Sequence, residues 1–173
     1  MFLKIYLSNY NKIDDVGFTI YNFFIFIVCY FYNFELHNLY SICCCCSWGI
    51  LTSFHSILYF DRNAFNKMAL KLKINMPLFH FGNCLLHILP CYISYINRPQ
   101  YIKLYHGIIA SLIHLFWIFI ISNKTWSLNN VYIKQPQIVW YKLYVISTVT
   151  EIFVPYIYYL NYNINQPVIF TNT

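Results

Sequence analysis

The chain has 173 residues, 60% of them hydrophobic and 9% charged, against about 25% charged in a typical soluble domain. That leaves too little polar surface for a water-soluble globule. The net charge of +6 comes from cations scattered among short segments, not gathered in the face or stripe that nucleic acid requires, so the class that remains is an all-α, polytopic transmembrane helix bundle.

Five long apolar runs follow in chain order: Val16–Phe34, Leu36–Phe60, Ile74–Asn97, Leu104–Asn123, and one from Leu143 onward broken only by Glu151. A helix needs roughly 20 residues to cross a hydrocarbon core of about 30 Å. The sequence therefore predicts a single integral-membrane domain of about five spans, near 16–34, 38–60, 76–97, 104–123 and 138–160. The first run is longer than the ~7–15-residue apolar core of a secretory leader and lacks a small-residue cleavage site, so it is expected to stay as a signal anchor.

The second run contains Cys43, Cys44, Cys45 and Cys46 in succession. Consecutive helical positions point all round the axis, whereas structural zinc needs spaced pairs such as C-x2-4-C. No metal is expected there. Palmitoylation is one use for thiols near a membrane surface; service as small, soft packing residues is the plainer one. The thirteen residues Asp61–Lys73 carry five charges and cannot cross a bilayer. Tyr and Phe number 18 and 16, and Tyr156, Tyr158 and Tyr159 fall near a predicted boundary, where aromatic belts sit at headgroup level.

Orientation follows from the cations, because Lys and Arg in short loops stay on the cytoplasmic side. With the N-terminus inside, the inner segments hold Lys4, Lys12, Arg62, Lys67, Lys71, Lys73, Lys124, Lys134 and Lys142, and the outer ones only Arg98 and Lys103. The uncharged tail from Asn161 to Thr173 then lies outside.

Polar side chains at membrane depth are costly and mark functional hypotheses. Here they are Thr52 and His55 on the second run, His80, Asn83 and His87 on the third, His106 and His114 on the fourth, and Glu151 on the fifth. Their spacing puts His80, Asn83 and His87 along one stripe of a regular helix. The plain role for such a stripe is interhelical hydrogen bonding, worth about 0.6 kcal/mol per bond on average.

Trp48-Gly49-Ile50-Leu51-Thr52, the PLFHFGNCLLHILP segment from Pro77 to Pro90, and Trp117 followed by Thr125-Trp126 and Tyr132 resemble motifs of the androgen-induced protein family. These are multi-span membrane threonine hydrolases that include the androgen-dependent TFPI-regulating protein, and the chain is one span shorter than their usual form. The resemblance implies Thr52 as nucleophile and His87 as its base, with His80 as alternative base. A Thr hydroxyl attacks only when a neighbouring base takes its proton, and His suits that role near neutral pH. Counted at 1.5 Å per residue from Phe60 and Pro77, Thr52 and His87 lie about 12 and 15 Å deep. Asn83 and His114 are the candidates for an oxyanion stabiliser.

The leading expectation is thus an intramembrane hydrolase of lipid esters, such as fatty-acid esters of hydroxy fatty acids. Its partners are membrane lipid and a lipid-ester substrate, and it implies no metal or organic cofactor. The expected place is the endoplasmic reticulum, another endomembrane or the plasma membrane. Two other classes fit the same residues. A b-type haem protein would use His87 opposite His106 or His114 as axial ligands. A non-catalytic scaffold or small channel subunit would use the polar groups for packing, with Glu151 lining a cavity or carrying a proton.

Overall fold

The computed structural model describes residues 18–32, 36–99, 101–125 and 137–165, and among them every regular element is helical. Six helices run in order: α1 Phe18–Phe31, α2 His37–Phe60, α3 Ala64–Lys71, α4 Met76–Ile96, α5 Leu104–Thr125 and α6 Gln137–Asn165. The all-α expectation holds. Three of them, over His37–Phe60, Met76–Ile96 and Ile138–Leu160, are long and apolar enough to cross a membrane. Within the expected first span over 16–34, the described residues form the 14-residue α1, about 21 Å long at 1.5 Å per residue. α5 runs 22 residues, Leu104–Thr125. Residues 1–17, Trp126, Tyr132 and the tail beyond Asn165 lie outside the described part.

Local chemistry sets the helix limits. Asp61 ends α2, accepts a bond from the Asn63 amide at 3.0 Å and pairs with Lys67 Nζ at 2.6 Å. Between Asp61 and Lys73, expected only as a charged connector, the chain forms the short helix α3. Its Ala64, Met68 and Ala69 join Ile57, Phe79, Val139 and Leu143 in a buried cluster. Lys73 turns the chain with φ of 55°. Asn75 then caps α4, its side chain accepting from the Leu78 amide at 2.9 Å, with Pro77 in the first turn, a pairing suited to helix starts.

Midway along α4, Cys84–Ile88 forms a π-helical turn in which the Leu89 amide donates to the Cys84 carbonyl. Pro90 supplies the cause: it has no amide to offer the Leu86 carbonyl four residues back, so the ladder cannot continue in its α form.

Helix α2 is the hub. It packs most extensively on α6, and also on α1, α4 and α5. This explains the cysteine run, since four consecutive positions on a helix surrounded by others all become interior. Cys43 to Cys46 are 4% exposed or less, so none of the four offers palmitoylation an accessible thiol. Cys43 and Cys44 pack with Phe26 and Cys29 of α1, while Cys45 and Cys46 face Ala110 of α5.

The opposite end is strapped by polar bonds. Tyr40 donates to the Asn97 carbonyl at 2.8 Å and Ser41 to that of Tyr101 at 2.8 Å. Asn38 Oδ1 accepts from Tyr101, Tyr105 and His106 Nε2 at 2.9, 3.2 and 3.1 Å. These bonds fix the α4–α5 connection on the start of α2.

Candidate functional site

Thr52 lies on the side of α2 that faces α6. Its hydroxyl is within bonding distance of its own helix carbonyls, Trp48 at 2.9 Å and Gly49 at 3.1 Å, and of Thr150 Oγ1 at 2.7 Å. His87 lies against another part of α2. Its ring stacks on Phe54 at 3.8 Å between centroids and stands edge-on to His55 at 6.4 Å. Thr52 and His87 are not hydrogen-bonded to each other, and no imidazole adjoins the Thr52 hydroxyl among its partners. The physical reason is angular: Thr52 turns toward α6, while Phe54 and His55 turn toward α4.

The expected stripe on α4 also divides. Asn83 and His87 are buried, 7% exposed each, but His80 is exposed and edge-on to Phe65 of α3. The π-helical turn winds His87 away from the line that regular helical spacing would give it. Asn83 donates through Nδ2 to His55 Nε2 at 3.3 Å, and His55 Nδ1 donates to the Leu51 carbonyl at 2.8 Å, which fixes the His55 tautomer by its bonds. Buried Asn83 Oδ1 and His87 Nδ1 have no hydrogen-bond partner among the described residues.

Three helices converge on a different centre. Glu151 of α6 is wholly buried. Its Oε2 accepts from Ser111 of α5 at 2.8 Å, and its Oε1 lies 3.0 Å from both His114 Nδ1 and Ser147 Oγ. Ser147 Oγ is also 2.9 Å from His114 Nδ1. Tyr144 stands edge-on to the imidazole at 6.2 Å.

Two glycines make room for this cluster. A Cβ on Gly49 of α2 would strike the Glu151 carboxyl, and one on Gly107 of α5 would strike the backbone at Glu151 and Ile152. Pro155 contributes too, because it lacks the amide that would bond the Glu151 carbonyl in a regular helix, and Gly107 lets α5 approach that position.

The arrangement differs from a catalytic triad. In a triad the imidazole contacts its nucleophile through one nitrogen and its carboxylate through the other. Here Ser147 and Glu151 both approach Nδ1, so His114 cannot pass a proton from one to the other in the triad manner. What the geometry does permit is sharing of a proton between imidazole and carboxyl, with two hydroxyls as additional donors.

His114, expected near Thr52 as an oxyanion stabiliser, instead serves Glu151. The three histidines considered as haem ligands separate in the same way. His87 faces α2, His114 bonds α6, and His106 sits at the far end, where Nδ1 accepts from the Lys103 amide at 3.0 Å and Nε2 bonds Asn38. Among the described residues, no three His, Cys, Asp or Glu side chains are grouped to hold a metal ion.

No known family, characterised protein or solved structure matches the chain. The likeness to androgen-induced proteins rests on the short motifs quoted above. Sequence reasoning singled out Glu151 and His114 separately but missed Ser111, Ser147, Thr150, Gly49 and Gly107 as their surroundings. A signal was present: Gly107-x3-Ser111 and Ser147-x3-Glu151 are small and polar residues one turn apart, the spacing that brings membrane helices into close contact.

Proposed function

We propose that this chain is a multi-span membrane protein with a proton-binding centre at Glu151 and His114, as a proton-linked transporter or channel subunit requires. The observation that carries the reading is a fully buried carboxyl within hydrogen-bond distance of an imidazole and two serine hydroxyls on two helices. One proton shared by this pair gives either a neutral acid beside a neutral imidazole or a carboxylate beside an imidazolium. Both states have no net charge, which suits a low-dielectric bundle in which an isolated charge is costly. A proton entering at one group and leaving from the other would cross the pair without a persistent net charge.

The experiment is proton flux into liposomes carrying purified protein and an internal pH-sensitive dye, driven by a potassium-diffusion potential. Glu151→Gln keeps shape and removes the carboxyl, so it should abolish flux, while Ser147→Ala should only reduce it. Wild-type flux no greater than that of empty liposomes would end this reading. The cation distribution supports placing the N-terminus in the cytoplasm; the membrane we propose is the endoplasmic reticulum, another endomembrane or the plasma membrane.

A second reading, the lipid-ester hydrolase, is favoured by His87. A buried imidazole next to a π-helical turn supports the reading, because such turns recur at functional sites. Hydrolysis of a fatty-acid ester of a hydroxy fatty acid, lost in Thr52→Ala, would establish it; equal turnover in that variant would exclude Thr52 as nucleophile.

A further inference from the structure

The first turn of α5 is fastened by a buried histidine whose bonds require it to be neutral. Lys103 immediately precedes the helix and His106 is its third residue. His106 Nδ1 accepts from the Lys103 amide at 3.0 Å, and the His106 amide donates to the Lys103 carbonyl at 3.0 Å. The side-chain bond is the backward half of a capping box, in which a Glu or Gln usually does the accepting. Because Nδ1 accepts, the ring proton is on Nε2, which donates to Asn38 Oδ1 of α2 at 3.1 Å. The residue is wholly buried, with the Tyr105 and Tyr101 rings 4.1 and 5.7 Å from its own.

A second proton turns one of these contacts from attraction to repulsion. Imidazolium carries N–H on both nitrogens, so Nδ1–H would meet the Lys103 N–H donor against donor. The titratable and charged groups around the ring are Lys103 and Tyr105 beside it, Tyr101 in the connection, His37 on α2 and, next along on α6, Glu151, whose backbone meets Gly107. Neither bonded partner of the ring is an anion, and Lys103 is a cation. The protonated ring therefore fits only if the first turn of α5 shifts away from α2. That turn carries Gly107, which abuts the backbone of Glu151 and Ile152, and the next carries Ser111, which donates to Glu151 Oε2 at 2.8 Å.

We propose that His106 is a protonation-sensitive latch on α5: neutral, it holds Gly107 and Ser111 against Glu151, and protonated, it releases them and opens the Glu151–His114 centre. The regulatory consequence rests on the proton-centre reading above, whereas the latch rests on its own hydrogen bonds. A histidine in the released form titrates near its ordinary pKa of about 6.5, and the closed form has no place for the second proton. The opening equilibrium then grows roughly tenfold between pH 7.5 and 5.5. On the topology proposed above, the latch lies on the side away from the cytoplasm, and acid on that side is the signal.

The test is hydrogen–deuterium exchange of the full-length protein in nanodiscs, read at the amides from Lys103 to Gly107 and corrected for the intrinsic pH dependence of exchange. Protection should fall roughly tenfold from pH 7.5 to 5.5 in the wild type. His106→Gln keeps an acceptor for the Lys103 amide and a donor for Asn38 but takes up no proton. Its protection should match the wild type's at pH 7.5 and change by less than about twofold on acidification, the bound set by that missing titration. His37→Gln should retain the tenfold fall. Constant wild-type protection overturns the latch whether or not any variant folds, and so does an equal fall in His106→Gln or loss of the fall in His37→Gln. Proton flux in liposomes held at one pH on both sides tests the consequence: the ratio of wild-type to His106→Gln flux should be near one at pH 7.5 and rise several-fold at pH 5.5. A constant ratio with measurable flux overturns control of the centre. Flux no greater than that of empty liposomes at either pH, with the protection change intact, ends the proton-centre reading and leaves the latch standing.

Discussion

Gly49 shows how one position governs the centre. Any side chain there enters the space of the Glu151 carboxyl, and the carboxyl cannot retreat without leaving Ser111, Ser147 and His114. Gly49→Ala should lower stability by about 1–3 kcal/mol, the range for overpacking a filled interior. An SDS titration followed by circular dichroism gives the measurement. In a Glu151→Ala background the same substitution should be nearly silent, because the atoms it strikes are gone. Equal destabilisation in both backgrounds would mean that Gly49 matters for helix packing alone. At this scale Thr52 and Thr150 form an ordinary half-buried pair: two hydroxyls 2.7 Å apart, each also within reach of a carbonyl of its own helix.

The helices explain why Thr52 and His87 go separate ways. α2 presents Thr52 to α6 and Phe54 to α4, and the π-helical turn places His87 flat on Phe54. With no shared partner, the stability losses of Thr52→Ala and His87→Ala should add to within about 0.3–0.5 kcal/mol in the double variant. A coupling of 1 kcal/mol or more, on the order seen for residues in contact, would show that the two side chains meet. Similar depth, about 12 and 15 Å by residue count, is a necessary condition for a pair of this kind. Facing one another is a separate condition that depth does not supply.

For the molecule as a whole, the cations predict five crossings with the N-terminus inside and the C-terminus outside. Glycosylation reporters fused to each end provide the check: the C-terminal reporter should be modified and the N-terminal one not. Modification at neither end, or at both, would mean an even number of crossings. α3, with its apolar side in the cluster with Ile57 and Leu143, is too short at 8 residues to add one.

Composition and run length alone determined the all-α class and the main helices: α2 and α4 begin and end within one residue of the expected 38–60 and 76–97, because long apolar segments ended by charges, Asn or Pro leave a chain few other choices. Single polar residues at depth were equally visible, and so were Glu151 and His114. Their partnership was not, because contact between helices depends on rotation about each axis, and a run that is apolar on every side carries no periodic signal to fix it. Glycines at 49 and 107 set the close approach, Pro90 and its π-helical turn set the direction of His87, and the central position of α2 buried four cysteines that point in four directions. Those are properties of neighbours in space, and only the tertiary structure decided them.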